Sequence, residues 1–394
     1  MGKKASLLTI MMFLCIVSQA QSLRDSVYLF KSVIEQKCHS QDSGFYYHGG
    51  VAASDLSFIG LYKDALVKYD IPRKEEVVEI SDSIKKYVNT LKATPAQKYI
   101  IDKAKKAQII IVNEAHYNPR NRVFLTTLLQ PLKNIGYTVF AAETFANDLN
   151  FEHQNHPTLH SGYYSCEPQF GNLIREAVGL GYKLLPYEDT LPNFKYRELN
   201  EAKNINVYLQ SHPDAKIIIY CGFDHISENP LKNGYKTMAS ELKETTGIDP
   251  LTVNQVYLGE RFFKNLERPE RQLLNAADYT VFVDTKGNVL SGKNTDIAVY
   301  IPDTQNKYNR PEWIFENGKV PLFIPTNKIT IDFPIMVKVY SSNDDIQTAI
   351  PIDVIEIENK SGLAKTALAI FPKRKYIIEV SNLKQEHLLF KIQK

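Results

Sequence analysis

The feature that most constrains the fold is a strand–helix–strand pattern that begins at Gln108. Gln108–Val112 is a short run rich in β-branched residues, which is typical of a strand buried on both faces. Asn118 and Pro119 then provide an N-cap and a proline for the first turn of a helix. After that helix, Tyr137–Ala142 is a second apolar run. Together these segments predict one βαβ unit of a parallel sheet.

The same alternation continues along the chain. Spacing typical of a helix and then of a strand occurs over residues 168–187 and again over 197–220. Two further short apolar runs, 251–256 and 279–283, extend the series. Alternation of this kind predicts an α/β fold with a mostly parallel sheet flanked by helices.

Acidic residues and histidines follow the predicted strands. In chain order they are Glu114, His116, Glu143, Glu188 and His225. Because the carboxyl ends of parallel strands meet at one edge of a sheet, where open sheets bind their ligands, we expect these side chains in one pocket. Capping of the following helices is the competing interpretation, but Glu is not a preferred N-cap residue. The sequence therefore predicts a functional pocket at this edge.

Two other segments flank the predicted core. Residues 23–100 have mostly helical spacing and predict a helical N-terminal segment that covers one face of the sheet. From residue 284 onwards, short alternating runs between turn residues predict a small antiparallel, sandwich-like β domain. We therefore expect an α/β domain at 21–283, with its core at 96–283, and a C-terminal β domain at 284–394.

Residues 1–20 have the features of a secretory signal peptide. Lys3 and Lys4 form a positive end, Leu7–Val17 an apolar core and Ser18–Ala20 a small-x-small cleavage site. The apolar stretch is too short for a comfortable membrane span, and no later segment is predicted to cross a membrane. We therefore expect a periplasmic or secreted protein. The formal net charge of +3, without any charge run, gives no support for nucleic acid binding.

Three cysteines follow the signal segment: Cys38, Cys166 and Cys221. An odd number excludes a complete disulfide framework, although one bridge beside one free thiol is compatible with export. We expect such a bridge on the ground of the compartment alone, because no spacing demands it. Cys221 is better explained as a buried apolar thiol than as a nucleophile.

A polar insert at 147–168 separates Glu143 from the next predicted helix. Its three histidines are His153, His156 and His160. Pro157 interrupts any helix that would align them, so a solvated loop or lid explains them better than a metal site. Tyr164 and Glu167, near the end of the insert, are better candidates for substrate contacts.

Several of these segments, taken in order, resemble a known superfamily. The matching segments are Glu114-Ala115-His116, Glu143, Gly162–Pro168, Arg175, Tyr187-Glu188 and Gly222–His225. They are similar to the superfamily that joins erythromycin esterase-like enzymes, ChaN-type haem-uptake proteins and the Tiki metalloproteases. The resemblance covers about residues 96–255, and its specificity lies in the order of short motifs.

The resemblance implies a shared pocket at the strand ends that serves different tasks. In the esterase-like branch a His acts as a base on a water molecule, and Glu residues orient it. In the Tiki branch two Gly-x-x-His motifs and a Glu serve a divalent metal. Gly222–His225 fits that pattern, whereas Asn113 stands in place of the first glycine. ChaN-type proteins bind haem, for which this sequence has no obvious axial-ligand signature.

The leading hypothesis from the sequence is a hydrolase in which His116 is the general base. Glu114 or Glu143 fixes the imidazole tautomer, and Glu188 positions water or substrate. His225 is a second acid/base group or an electrophile that faces the developing oxyanion. A metal-assisted variant binds a divalent cation through His116, His225 and one carboxylate, Glu143 or Glu188.

Substrate contacts are expected from Arg175, Glu167, Tyr164 and Tyr187. Arg175 binds a substrate carboxylate or holds Glu167 or Glu188 in place. The substrate is a small molecule or a peptide, and ester, amide and lactone bonds all remain open. The alternative function is binding of haem or another small ligand in the cell envelope without catalysis. A third hypothesis is an envelope protein that binds a partner through its C-terminal domain.

Overall fold

The computed structural model describes residues 26–40, 44, 50–146, 156–189, 196–292 and 294–394. The predicted signal segment (1–20) and His153 lie outside these residues. Among the described residues, no helix is long and apolar enough to cross a membrane.

The N-terminal part of the described chain is mostly helical, as predicted. Its elements are α1 (Lys31–Cys38), α2 (Val51–Phe58), α3 (Tyr62–Asp70), α4 (Asp82–Val88), β1 (Lys92–Pro95) and α5 (Ala96–Ala104). Only α5 packs on the central sheet, through Ile100 and neighbouring alanines. Helix α2 contributes to a different apolar cluster, which it shares with the C-terminal part of the chain. The prediction that this segment covers one face of the sheet therefore holds for α5.

The core is a six-stranded parallel sheet with helices on both faces, which confirms the predicted fold class. Its elements are β2 (Ile109–Glu114), α6 (Arg120–Asn134), β3 (Tyr137–Ala142), α7 (Pro168–Gly179), β4 (Lys183–Pro186), α8 (Arg197–Ser211), β5 (Lys216–Gly222), α9 (Met238–Thr246) and β6 (Leu251–Asn254), followed by α10 (Pro269–Leu273), β7 (Thr280–Val283) and β8 (Ile297–Ala298). The strand order is β4-β3-β5-β2-β6-β8. Helices α5, α6 and α7 pack on one face of the sheet, and α8 and α9 pack on the other.

The central strands form because their side chains are apolar on both faces. Every residue of β2 is buried, and Ile217–Ile219 of β5 are fully buried beside it. Strands β2 and β5 pair in parallel register, so that Glu114 lies opposite Gly222. Strand β3 pairs on the other side of β5 and places Glu143 next to the same edge. The carboxyl ends of these strands therefore converge, as the sequence predicted.

The parallel sheet continues past residue 283, where the sequence predicts the end of the α/β domain. Strand β8 pairs with β6 as the last strand of the parallel sheet, and Val299 and Ile301 belong to the same buried core. The sequence pattern could not indicate β8, because two paired residues show no periodicity. The apolar run at 279–283 does form a strand, β7, but it pairs antiparallel with β1 outside the parallel sheet.

The C-terminal part is antiparallel, as predicted. Its elements are β9 (Asn306–Lys307), β10 (Arg310–Pro311), β11 (Val320–Phe323), β12 (Ile335–Ser341), β13 (Asp353–Ile357), α11 (Lys360–Lys365), β14 (Ala367–Ile370), β15 (Lys375–Asn382) and β16 (His387–Gln393). A four-stranded sheet of order β13-β12-β15-β16 shares one apolar core with the β11–β14 pair.

The three cysteines are free thiols, so the expected disulfide is wrong. Cys166 and Cys221 are both buried. The Cys166 thiol donates to the carbonyl of Gly162, and the Cys221 thiol donates to the carbonyl of Val112. Cys38, the last residue of α1, is half-buried and packs against the apolar cluster that α2 shares with the C-terminal part of the chain. Burial raises the pKa of the Cys221 thiol well above its usual range, as expected for an apolar thiol.

The end of the polar insert contacts the C-terminal part of the chain. Leu159 donates its N–H to the carbonyl of Thr348 at 2.8 Å, and Thr158 forms a β-bridge with Ala349. His160 is exposed beside this contact. This described portion of the insert is therefore anchored to the antiparallel C-terminal part of the chain (residues 306–394, the β unit). From there it returns to the edge of the parallel sheet.

Candidate functional site

His116 and Glu114 form a hydrogen-bonded pair at the end of β2. The His116 Nδ1 atom lies 2.8 Å from the Glu114 Oε1 atom. The imidazole stacks on the Tyr164 ring with 3.7 Å between ring centroids, and meets the Phe223 ring edge-on. Tyr164 therefore covers one face of the imidazole, and Glu114 fixes its Nδ1 atom. Tyr164 contacts the predicted base directly, so the structure places it at the site.

Glu114 is held as a carboxylate by Arg122 of α6. Two guanidinium nitrogens of Arg122 donate to the two carboxylate oxygens at 2.7 and 2.6 Å, and the Tyr220 hydroxyl donates at 2.7 Å. Burial alone raises the pKa of Glu114, but Arg122 and His116 outweigh it and lower the pKa to about 2. An ionised Glu114 accepts the Nδ1 proton of His116 and so leaves Nε2 as the basic nitrogen.

Glu167 lies behind Arg122 and not in the pocket. Its carboxylate accepts a hydrogen bond from Arg122 at 3.0 Å and caps α7 by accepting the Phe170 N–H at 2.9 Å. The residue is fully buried. Glu167 therefore does not face the cavity, because its oxygens accept hydrogen bonds from the end of α7 and from Arg122.

Gly222 allows His116 and Glu143 to approach each other at the end of β5. Its N–H donates to the Glu143 Oε2 atom at 2.6 Å. A Cβ atom at this position would lie 2.3 Å from His116 Nε2 and 3.3 Å from Glu143 Oε2. The absence of a side chain at Gly222 thus brings the free nitrogen of His116 next to a carboxylate.

Glu143 lies between the two histidines of the predicted site. Its Oε1 atom accepts a hydrogen bond from Arg197 at 2.7 Å and lies 3.6 Å from His225 Nε2. Burial raises the pKa of Glu143, but the charges of His225, His116 and Arg197 outweigh it and lower the pKa to about 2. Glu143 is therefore ionised at neutral pH.

Arg197, in the first turn of α8, organises the other side of the site. It donates two hydrogen bonds to Glu188, at 2.7 and 2.8 Å, and one to Glu143. Its Nη1 atom lies 3.2 Å from His225 Nε2. Arg197 thus joins Glu188, Glu143 and His225 into one network.

His225 is surrounded by carboxylates. Its Nδ1 atom lies 2.8 Å from Glu198 and 3.8 Å from Glu201. Burial lowers the pKa of His225, but Glu143, Glu198 and Glu201 outweigh it and raise the pKa to about 9. Burial raises the pKa of Glu201.

A small cavity lies between the two halves of the network. Its volume is about 10 Å³. Its lining residues are Glu114, His116, Glu143, Thr144, Tyr164, Phe170, Tyr220 and Cys221. A space of this size is close to the lower limit for one water molecule. Pockets for drug-sized ligands measure about 300–1,000 Å³, so this cavity has the size of a water site and not of a whole ligand.

Two predicted substrate contacts lie away from the site. The Tyr187 side chain is buried, and its hydroxyl donates to the carbonyl of Tyr220 at 3.0 Å. Arg175 contacts the Asp344 carboxylate at 3.3 Å and the carbonyl of Ile350. Neither side chain lies beside His116, because Tyr187 points into the core and Arg175 lies on the face of α7 that meets the C-terminal β strands. The expected anchoring of Glu167 and Glu188 is instead supplied by Arg122 and Arg197.

Sequence reasoning missed Arg122, Arg197, Glu198 and Glu201. All four lie in the first two turns of helices that follow strands of the sheet, which places them near the same edge. One signal was available. Arginine in the first turn is unfavourable to the helix dipole, so Arg122 and Arg197 needed partners elsewhere in the fold.

The predicted metal set is only partly assembled. His116 and His225 lie on opposite sides of Glu143, within electrostatic reach of it. Among the described residues, however, the set whose ligand atoms all lie within 4.8 Å of one another is Glu198, Glu201 and His225. It shares only His225 with the prediction.

No protein-family model and no curated protein matches the chain. Similar solved structures include the type III effector HopBA1, with 9% identity over 53% of this chain and 95% of that one, and a TM-score of 0.35. Another is RRSP, a MARTX toxin effector domain from Vibrio vulnificus CMCP6, with 16% identity over 60% and 45% of the chains and a TM-score of 0.30.

A third is the C-terminal region of Pasteurella multocida toxin, described as having a thiol-protease-like catalytic triad. Its identity is 11% over 62% of this chain and 33% of that one, with a TM-score of 0.30. This chain spans less than half the length of the two toxin structures. At these TM-scores the likeness carries no argument about function.

Proposed function

We propose that this protein is a hydrolase in which His116 activates a water molecule for attack on an ester or amide bond. The observation that carries the proposal is the His116–Glu114 pair, whose free nitrogen lies beside a water-sized cavity and an ionised Glu143. The site lies at the carboxyl edge of a parallel sheet, where such folds bind substrates.

The proton transfers follow from the hydrogen bonds of His116. Glu114 accepts the Nδ1 proton, so Nε2 accepts a proton from water as the water oxygen attacks the carbonyl carbon. The positive imidazolium that results is stabilised by Glu114 and Glu143. When the C–O or C–N bond breaks, the same nitrogen returns the proton to the leaving group. No oxidant, reductant or second substrate is needed.

Positive groups on the other side of Glu143 stabilise the charge that develops on the substrate. Arg197 and the Nε2–H group of His225 are donors that lie within 4 Å of Glu143. Donors fixed in advance by other hydrogen bonds stabilise an oxyanion without reorganisation. Glu188 keeps the Arg197 guanidinium in position through two hydrogen bonds. In this proposal Glu188 is a positioning residue.

Two sequence features extend the proposal. The resemblance to the erythromycin esterase-like, ChaN and Tiki superfamily supports a His-based attack by water, since the esterase-like branch uses these strand-end residues in that way. The pattern of residues 1–20 supports a periplasmic or secreted enzyme acting on a small molecule or peptide.

The test compares three purified variants on a panel of fluorogenic ester, lactone and amide substrates. His116→Ala is expected to lower kcat/KM by about 10²–10⁴-fold, the usual contribution of a general base. Glu114→Gln is expected to lower it as well, because the imidazolium loses its counter-charge. His212→Ala removes an exposed histidine at the end of α8 and is the matched control. Wild-type turnover by His116→Ala contradicts the proposal, as does a wild-type protein that hydrolyses no member of the panel.

A further inference from the structure

Glu198, Glu201 and His225 converge on one point beside the proposed water-activating pair. Glu198 and Glu201 are three residues apart on α8, so their side chains leave the same face of the helix. His225 reaches them from the turn that follows β5. One ligand atom from each residue lies within 4.8 Å of the others.

The state of Glu201 indicates that this cluster binds something. The residue is only 1% exposed, yet neither carboxylate oxygen accepts a hydrogen bond among the described residues. Arg197 Nε is 3.0 Å from Oε1, but its hydrogen bond goes to Glu188 at 2.7 Å. A buried carboxylate without donors is strongly unfavourable unless a cation or a proton compensates it. Glu201 is aimed into the cluster: Arg197 forms an ion pair with its Oε1 atom, whereas its Oε2 atom faces His225 at 3.8 Å and accepts no hydrogen bond.

The other two residues are already oriented as ligands. Glu198 accepts the Met238 N–H on Oε2 at 2.5 Å and the Tyr235 hydroxyl on Oε1 at 3.1 Å. The far nitrogen of His225, Nε2, lies 3.6 Å from the Glu143 carboxylate. Metal-binding histidines and carboxylates are typically fixed by outer hydrogen bonds of this kind.

The local charges also favour a cation. Four carboxylates, from Glu143, Glu188, Glu198 and Glu201, lie within 4 Å of Arg197 or His225. Even with a protonated His225, the negative groups outnumber the positive ones. A divalent ion offsets this excess of negative charge beside the Oε2 atom of Glu201, which accepts no hydrogen bond.

We propose that Glu198, Glu201 and His225 bind a first-row divalent cation such as Mn²⁺ or Zn²⁺. A set of one imidazole and two carboxylates suits these ions, whereas Mg²⁺ and Ca²⁺ favour oxygen ligands alone. His116 is not one of the ligands of this ion. His225 connects the two sites: the ion replaces the Nδ1 proton that is shared with Glu198 at 2.8 Å, and this proton is released to solvent, while Nε2 continues to face Glu143.

The experiment measures binding without a substrate, so its outcome is independent of the proposed hydrolase activity. Purified protein is treated with a chelator, desalted and titrated with Mn²⁺ by electron paramagnetic resonance and with Zn²⁺ by calorimetry. The variant Glu201→Gln keeps the side-chain shape and removes the ligand charge. Glu176→Gln, an exposed glutamate of α7, is the matched control, and His116→Ala tests the competing metal set.

We expect about one ion per chain in the wild type, in Glu176→Gln and in His116→Ala, and at least tenfold weaker binding in Glu201→Gln. In chelator, Glu201→Gln is expected to melt no lower than the wild type, because it removes a buried carboxylate whose oxygens accept no hydrogen bond. It is also expected to lose the rise in Tm that the ion produces. An unfolded Glu201→Gln in chelator contradicts that argument.

Three other results overturn the proposal. They are no stoichiometric ion in the wild type, undiminished binding by Glu201→Gln, and loss of the ion in His116→Ala. The last result assigns the ion to the His116, His225 and Glu143 set. The hydrolase is tested separately by the turnover of His116→Ala.

Discussion

At the scale of single residues, the position of His116 depends on the absence of a side chain at Gly222. The backbone of Gly222 is extended, so the constraint is not one of backbone angle. It is one of space, because a Cβ atom would lie 2.3 Å from His116 Nε2. The imidazole has little freedom to move away, since Glu114 holds its other nitrogen and Tyr164 covers its face.

We expect Gly222→Ala to lower kcat/KM by at least 10²-fold, because the imidazole is displaced from Glu114 or from the water-sized cavity. The free energy of unfolding is expected to fall by about 1–3 kcal/mol, the usual cost of overpacking. Gly179→Ala is the matched control, since a Cβ there meets no atom within 4 Å. The measurements are turnover and urea unfolding. A Gly222→Ala protein with wild-type turnover shows that His116 does not act from this position.

The residues of the site divide into those that sequence could predict and those it could not. Glu114, His116, Glu143, Glu188 and His225 were predictable because parallel strands end at one edge whatever the helices do. The contacts of Arg175 with Asp344 and Ile350 were not predictable, because the spacing of residues does not show how α7 is rotated about its axis. Its apolar stripe shows which face is buried, but not which neighbour covers the flanks.

At the scale of elements, the first turns of α6 and α8 complete the site. Each carries an arginine that pairs with carboxylates from two other elements: Arg122 with Glu114 and Glu167, and Arg197 with Glu143 and Glu188. These pairs fix the helices relative to the strand ends. The strands were predictable from runs of β-branched residues. The arginine–carboxylate ion pairs were not predictable, because they depend on the rotation and position of each helix.

Arg122 is expected to be essential for the stability of the α6–β2–α7 arrangement. Its side chain is fully buried, and Arg122→Met leaves the Glu114 and Glu167 carboxylates without their main donor. Removing one partner from a buried ion pair costs about 3–5 kcal/mol.

The triple variant Arg122→Met, Glu114→Gln, Glu167→Gln tests whether uncompensated carboxylate charge causes the loss of stability in Arg122→Met. It removes the stranded charges along with the arginine, so we expect it to recover a large part of the loss in urea unfolding at pH 7. A triple variant no more stable than Arg122→Met indicates that lost packing, and not uncompensated charge, sets the cost.

At the scale of the whole molecule, the N-terminal helices join the α/β core to the β unit. Residues of α2, including Leu56 and Phe58, share a buried cluster with Met336 and Ile350 of the C-terminal part. The buried pair of Arg310 and Asp353 lies at the same junction, with 2.8 Å between charged atoms. The site and the β unit are therefore connected through packed helices. Sequence patterns could not show this, because local periodicity indicates which face of an element is buried but not which distant element covers it.

The docking of α1 on the β unit gives the molecule a pH-dependent stability. The Glu356 carboxylate of β13 accepts the Lys31 N–H at the start of α1, at 2.6 Å, and is 9% exposed. Burial raises the pKa of Glu356 to about 7, with only partial compensation by Lys31. The folded state therefore holds this proton more tightly than the unfolded chain does, and the stability it contributes is present at pH 4.5 and lost as the pH rises through 7.

We expect the unfolding free energy of the wild type, relative to that of Glu356→Gln, to fall by about 1–3 kcal/mol between pH 5 and pH 8, because glutamine does not titrate and still accepts the Lys31 N–H. Glu79→Gln, an exposed glutamate outside the contact between α1 and β13, is the matched control and should follow the wild type at both pH values. Urea unfolding at the two pH values measures the difference. A gap between wild type and Glu356→Gln that does not change with pH means that water reaches this carboxylate and that the docking of α1 does not keep it dry.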